Sequence, residues 1–151
     1  MVKCNIYNIV KESYHYWRIY WRCKLLLRKN IALSTALSNP KDGGVPHRMP
    51  GIYTFKQKRK VIYLGMSSCD IRNRLKAHVN NNDHQEVGLY LQKWHLRAIT
   101  ISWVQETNAG TKEKQYMEMI TNLQGNAPIL NKTSGNSKKS SPKKLLWRIL
   151  K

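Results

Sequence analysis

Cysteine is scarce in this 151-residue chain: Cys4, Cys23 and Cys69 make an odd number, and no two stand in a CxxC spacing. That excludes a zinc knuckle and a disulfide framework, and it fits a reducing, intracellular compartment. Long apolar runs are missing as well. The most apolar stretch near the start, Tyr14 to Leu27, is interrupted by Arg18, Arg22 and Lys24. A spanning helix needs roughly 18 apolar residues in a row, so the chain offers none, and a secretory signal is not indicated. Acid is short too, with 8 Asp and Glu in all. A site that gathers clustered carboxylates around two metal ions is hard to assemble from so few.

What the chain does have is apolar content of 41%, enough for a hydrophobic core, and 27 Lys and Arg, which bring the formal charge to +19. Such a field attracts polyanions and repels its own copies, so nucleic acid is the expected partner class and a monomer the expected state. Residues 1–47 hold eight basic and two acidic side chains, 48–131 twelve and six, and 132–151 seven and none. The least lopsided stretch is the central one, as expected of a folded unit flanked by arms that add phosphate affinity. The sequence is therefore divided into a basic, aromatic N-terminal extension and linker (1–47), a central domain (48–135) and a basic tail (136–151).

Along the chain, the run from Tyr14 to Lys29 mixes aromatics with cations and reads as an amphipathic helix. Three uses are open for it. Trp17, Tyr20, Trp21 and Leu25 pack on the domain, or they contact DNA, or they bind a membrane surface. Residues 38–50, with three prolines and the Gly43-Gly44 pair, read as a linker. The runs Gly51–Phe55 and Val61–Gly65, separated by the polar turn Gln57–Lys60, predict a β-hairpin. Ser67 or Ser68 caps a helix with Ile71, Leu75 and Val79 on one stripe, which Asn80–Asp83 stop. A second helix is expected near Val87–Trp94, a third strand at Ile99, Ile101 and Trp103, and a helix from Thr111 to Gly125 presenting Tyr116, Met117, Ile120 and Leu123. Beyond Asn131 a Lys- and Ser-rich linker leads to the short amphipathic end Leu145–Leu150. The expected fold is α+β, with a three-stranded antiparallel sheet flanked by helices.

Several polar residues are spaced so that a compact fold can gather them. Tyr53 and Tyr63 lie on the two hairpin strands, Arg74 and His78 one helical turn apart on the next helix, and Glu113 near the start of the last. Their order and spacing resemble the GIY-YIG nuclease family. Gly51-Ile52-Tyr53 stands for its first motif and Tyr63-Leu64-Gly65 for its second, with Leu in place of the usual Ile. Arg74 and His78 resemble its Arg-xxx-His helix, Glu113-Lys-Gln-Tyr-Met-Glu118 its glutamate helix, and Asn131-Lys-Thr-Ser-Gly its terminal asparagine motif.

The resemblance spans roughly residues 50–135 and implies an endonuclease that hydrolyses DNA phosphodiester bonds with one Mg²⁺, for which Mn²⁺ can substitute. It implies Arg74 as the phosphate clamp, Tyr53 or Tyr63 as general base, and His78 as proton relay. The metal ligand is Glu113 or Glu118; Glu113 is preferred because Tyr116 and Met117 then occupy the apolar positions after it. His84 stands where some homing-type members have a second histidine. Lys56, Lys58, Arg59 and Lys60 on the hairpin, Arg72 on the helix, and Asn131 are the expected nucleic-acid contacts. Homing, phage or mobile-element roles all fit this reading. A non-catalytic nucleic-acid-binding protein that retains the fold is the alternative, and metal-dependent turnover separates the two.

Overall fold

The structure, a computed structural model, describes residues 6–82, 85–93 and 98–131. It begins with α1 (Ile6–Arg28), a 23-residue helix whose described residues contain neither proline nor glycine. Ile19, Cys23 and Leu26 recur at helical spacing and are fully or almost fully buried. The helix ends where Asn30 folds back and its side-chain amide donates to the Arg28 carbonyl at 3.1 Å. Lys56, from the sheet below, donates its ammonium to the Lys29 carbonyl, so two of the orphaned acceptors at this end find partners.

A short strand, β1 (Ile31–Ala32), and a single helical turn, α2 (Leu33–Ala36), lead into a 3-10 turn at Pro40–Asp42. Then follow β2 (Gly51–Gln57), β3 (Lys60–Ser67), α3 (Ile71–Val79), α4 (Glu86–Lys93), β4 (Ile99–Gln105) and α5 (Ala109–Gln124). The strands form one antiparallel sheet in the order β1-β4-β2-β3.

Helices cover both faces of that sheet. Tyr53, Phe55, Ile99 and Ile101 share a core with Leu33, Ile71, Leu75, Val87 and Leu91, from α2, α3 and α4. On the opposite face Ile52, Val61 and Leu64 pack with Ile19, Cys23 and Leu26 of α1 and Tyr116 and Ile120 of α5. Strand alternation explains the division, because neighbours along β2 point to opposite faces. A register shift opposite Phe55/Lys56 makes Ile62 an extra residue on β3 and breaks its alternation, so that the adjacent residues Ile62 and Tyr63 both pack with the first core.

Several expectations are corrected here. The sheet has four strands rather than three, because β1 pairs with the open edge of β4 and satisfies part of its ladder. The N-terminal segment is no appended arm: α1 fills one core through Ile19, Cys23 and Leu26. Trp17, Trp21 and Leu25, three of the residues suggested as its packing face, are instead exposed. Residues 38–50 are not a loose linker either. Val45 is completely buried, and the Arg72 guanidinium donates to the carbonyls of Leu37, Ser38 and Val45. The α3 helix is capped by Asp70, which accepts from the Asn73 amide at 3.2 Å, while Ser67 accepts from the Asp70 amide in the turn before it. Ile71 and Leu75 are buried with Val79 partly buried against the same core, as expected, and His78 joins them as a fully buried residue.

The hairpin tip is strained. Lys58 and Arg59 both adopt positive φ, 50° and 64°, the geometry of a two-residue turn that favours Asn and Gly. Replacing the pair with Asn-Gly is expected to raise stability by about 1 kcal/mol. A chemical-denaturation midpoint that stays put or falls would refute that.

Candidate active site

Tyr53 sits at the middle of β2, opposite Gly65 of β3 and Trp103 of β4. Its ring crosses directly over the Gly65 backbone. A Cβ at residue 65 would lie 2.5 Å from the phenol carbon and from the hydroxyl oxygen of Tyr53, and 2.8 Å from the Tyr63 ring. At the start of β2, a Cβ on Gly51 would stand 2.1 Å from the Val104 carbonyl oxygen. The two motif glycines are thus space requirements, one of the sheet and one of the tyrosine pair. We expect Gly65→Ala to displace the Tyr53 ring and cost about 1–3 kcal/mol through overpacking. Unchanged stability would contradict this packing.

From α3, His78 reaches under the same ring, its Nε2 2.6 Å from the Tyr53 hydroxyl. Tyr53, Phe55, Tyr63 and His78 form one aromatic cluster, with the Tyr63 and His78 ring centres 5.4 Å apart. Burial pushes the Tyr53 phenol well above its usual range; the Tyr63 phenol adds to the rise, and the Arg74 guanidinium beside it pulls the other way. Tyr53 is therefore a neutral hydrogen-bonding phenol in the resting protein. Tyr63 is only half-buried, and its hydroxyl donates to the Gln85 side-chain oxygen at 3.0 Å. Of the two phenols it is the one that solvent reaches.

Glu113, half-buried on α5, completes the group. Burial raises its carboxyl pKa, and the same Arg74 guanidinium opposes the rise. Arg74 accordingly lies within electrostatic reach of both the Tyr53 phenol and the Glu113 carboxyl. Glu118 lies elsewhere: it is exposed and lines a groove between α1 and α5 together with Glu12 and His15. Five positions along a helix turn the side chain by about 140°, which is why the two glutamates cannot share a site.

Other expected contacts divide. Lys58, Arg59 and Lys60 are exposed at the hairpin tip. Lys56 is fully buried on the opposite face, its ammonium on the Lys29 carbonyl, and burial lowers its pKa to about 8. It does not present a charge to solvent. Arg72 is 7% exposed and spends its guanidinium on the chain that leads to β2. Asn131 is a structural clamp, its amide donating to the Leu64 carbonyl at 2.7 Å and its oxygen accepting from the Leu64 amide at 2.8 Å. It continues the sheet beyond β3, much as a peptide group of another strand would. His84 lies outside the described residues, as does the tail beyond Asn131.

One residue that motif reasoning missed organises this end of the sheet. Glu106, just past β4, has a fully buried side chain that accepts hydrogen bonds from Arg18 (2.9 Å), Lys112 (2.7 Å) and the Tyr116 hydroxyl (2.6 Å), with Arg22 at 3.3 Å. Its own amide donates to the Pro50 carbonyl at 3.1 Å. A single residue therefore joins α1 and the first turns of α5, the helix that carries Glu113, through its carboxylate, and the chain entering β2 through its amide. The only signal in the sequence is an acid standing among so many bases.

Among the described residues no three His, Cys, Asp or Glu side chains are grouped as a metal site. That donor set does not suit an ion held by protein alone, as a structural zinc is. Glu113, withdrawn partly from water beside Arg74, suits a hydrated Mg²⁺ that takes one carboxylate and keeps most of its waters. No helix among the described residues is long and apolar enough to cross a membrane. No protein-family model, curated protein or solved structure matches the chain.

Proposed function

We propose that this protein is an endonuclease of the GIY-YIG type that hydrolyses phosphodiester bonds of DNA. One observation carries the reading: Tyr53, Tyr63 and His78, drawn from two strands and a helix, cluster where Gly65 makes room for the tyrosine pair, and Arg74 lies within electrostatic reach both of Tyr53 and of Glu113 on α5. The charge of +19 supports a nucleic-acid substrate.

In this mechanism Arg74 donates to the phosphate oxygens and stabilises the charge that builds on them, a role suited to a planar, permanently charged fork. Tyr63, the phenol within reach of solvent, first releases its own proton to solvent, and the phenolate then accepts the proton of the attacking water. Tyr53 stays protonated, because burial opposes its ionisation and the neighbouring phenol adds to that opposition; its hydroxyl shares a hydrogen bond with His78 Nε2 and keeps the imidazole in place. Glu113 would hold the Mg²⁺. When bound, the ion neutralises charge on the scissile phosphate and on the departing 3′ oxygen.

Nicking of supercoiled plasmid is expected with Mg²⁺ or Mn²⁺ and not with EDTA. Glu113→Gln should reduce nicking to the metal-free background, whereas Glu118→Gln should cut at the wild-type rate. The reverse pattern would move the metal ligand to the other glutamate. Binding without turnover under every metal condition would support the non-catalytic alternative.

A further inference from the structure

We infer that the outer face of α1 is a stacking platform for unpaired bases, so that the substrate presents a single-stranded segment as well as the bond to be cut. The inference deepens the nuclease reading and rests on it for the word substrate. With its aliphatic stripe buried in the domain, α1 turns Tyr14 (69% exposed), Tyr16, Trp17 (54%) and Trp21 (62%) to solvent. These are not scattered rings. Tyr16, Trp17, Tyr20 and Trp21 touch edge to face in sequence, with centres 5.8, 5.4 and 5.4 Å apart, so the row is held in one arrangement before any ligand arrives. Exposed aromatic area of this extent is costly in water unless a partner uses it.

Charge selects the partner. Lys24 sits 5.5 Å from the Tyr20 ring centre and is exposed, as are Arg28 and Lys29 at the end of the helix. Because the Lys56 ammonium reaches the Lys29 carbonyl, this helix end lies over the same end of the sheet as the exposed hairpin cations Lys58, Arg59 and Lys60. The aromatic row thus runs into a cationic cluster. At its other flank, Glu12 and Glu118 line the groove beside α5, where Lys112 is already paired with Glu106; the groove offers phosphate less than the cationic end of the helix does. Rings for bases and cations for phosphates are what a single strand requires. A lipid surface also accepts Trp and Tyr at the headgroup level but needs an aliphatic face to sink beneath them, and Leu25 is the one aliphatic among the exposed large hydrophobics described on this helix. In a duplex the base faces are already covered, so unpaired bases are the ones this row can take.

The test measures binding of the full-length protein in EDTA, so it does not depend on cleavage. The probes are fluorescent oligothymidine, a blunt duplex of equal length, and vesicles of phosphatidylglycerol with phosphatidylcholine. Replacing Tyr14, Trp17 and Trp21 together by Ala should weaken oligothymidine binding by about tenfold or more and duplex binding far less. The triple Phe variant should keep most of the oligothymidine affinity, because it keeps the rings. The slope of affinity against salt should be the same in both variants, since the phosphate contacts remain. Equal losses on both nucleic acids, no loss, or a loss confined to vesicles would overturn the proposal. Aromatic-dependent binding by a protein that cuts no DNA would leave the platform standing and remove the nuclease reading. Cutting by a protein whose Ala variant binds oligothymidine normally would do the opposite.

Discussion

Arg74→Ala is expected to lower kcat by about 10²–10³-fold, the loss seen when a preorganised donor to a charged transition state is removed. Substrate binding in EDTA should change little, because many other cations in this +19 chain contribute to it, and the salt slope should drop by about one phosphate at most. Arg74→Lys should restore little, since a single ammonium cannot make two parallel hydrogen bonds. A second readout comes from the neighbours. Arg74 opposes the raised pKa of both Tyr53 and Glu113, so its removal should move both groups further upward. NMR titration of the Glu113 side-chain carbon would measure that. A carboxyl that does not move would place Arg74 outside the site, and wild-type turnover would refute its role as phosphate clamp.

Glu106→Ala is expected to cost about 3–5 kcal/mol, because it leaves Arg18, Arg22 and Lys112 facing a buried gap. For a chain of this size that corresponds to roughly 6–20 °C in Tm. Burial alone would raise the Glu106 carboxyl, but hydrogen bonds from Lys112, Tyr116 and Arg18 outweigh it and hold the group below its usual value. A depressed acid contributes stability above the unfolded-state pKa and loses it as pH falls through the folded one. Wild-type protein should therefore lose stability as the medium is acidified below about 4.5, the ordinary value of a glutamate, and Glu106→Gln should flatten that limb. Identical acid limbs in the two proteins would show that the network carries no such linkage. Turnover should fall as well, since α5 presents Glu113 from the helix that Glu106 anchors.

Much of the hairpin, the helices and the grouping of tyrosines with Arg74 and His78 was legible because it depends on short-range spacing. Two glycine-tyrosine runs alternate with period two, and Arg74 and His78 are one turn apart, so the local pattern already orients them. Lys56 was misread for a comparable reason. It stands in a run of cations at a hairpin, yet alternation along β2 carries it to the buried face, where the end of α1 supplies an acceptor. Asn131 looked like a contact for ligand and instead closes the exposed edge of β3.

Sequence alone determined the sign and size of the charge, the periods of the principal elements, and the set of phenols, guanidinium and carboxylates from which a site could be chosen. Tertiary structure decided which members of that set meet. It put Glu113, on a different face of α5 from Glu118, within electrostatic reach of Arg74, removed Arg72 from the surface, and built α1 and β1 into the fold. The physical reason is reach. Backbone periodicity acts over a few residues, whereas the Glu106 network joins side chains as far apart as Arg18 and Glu106, and no local pattern specifies a contact across 88 positions.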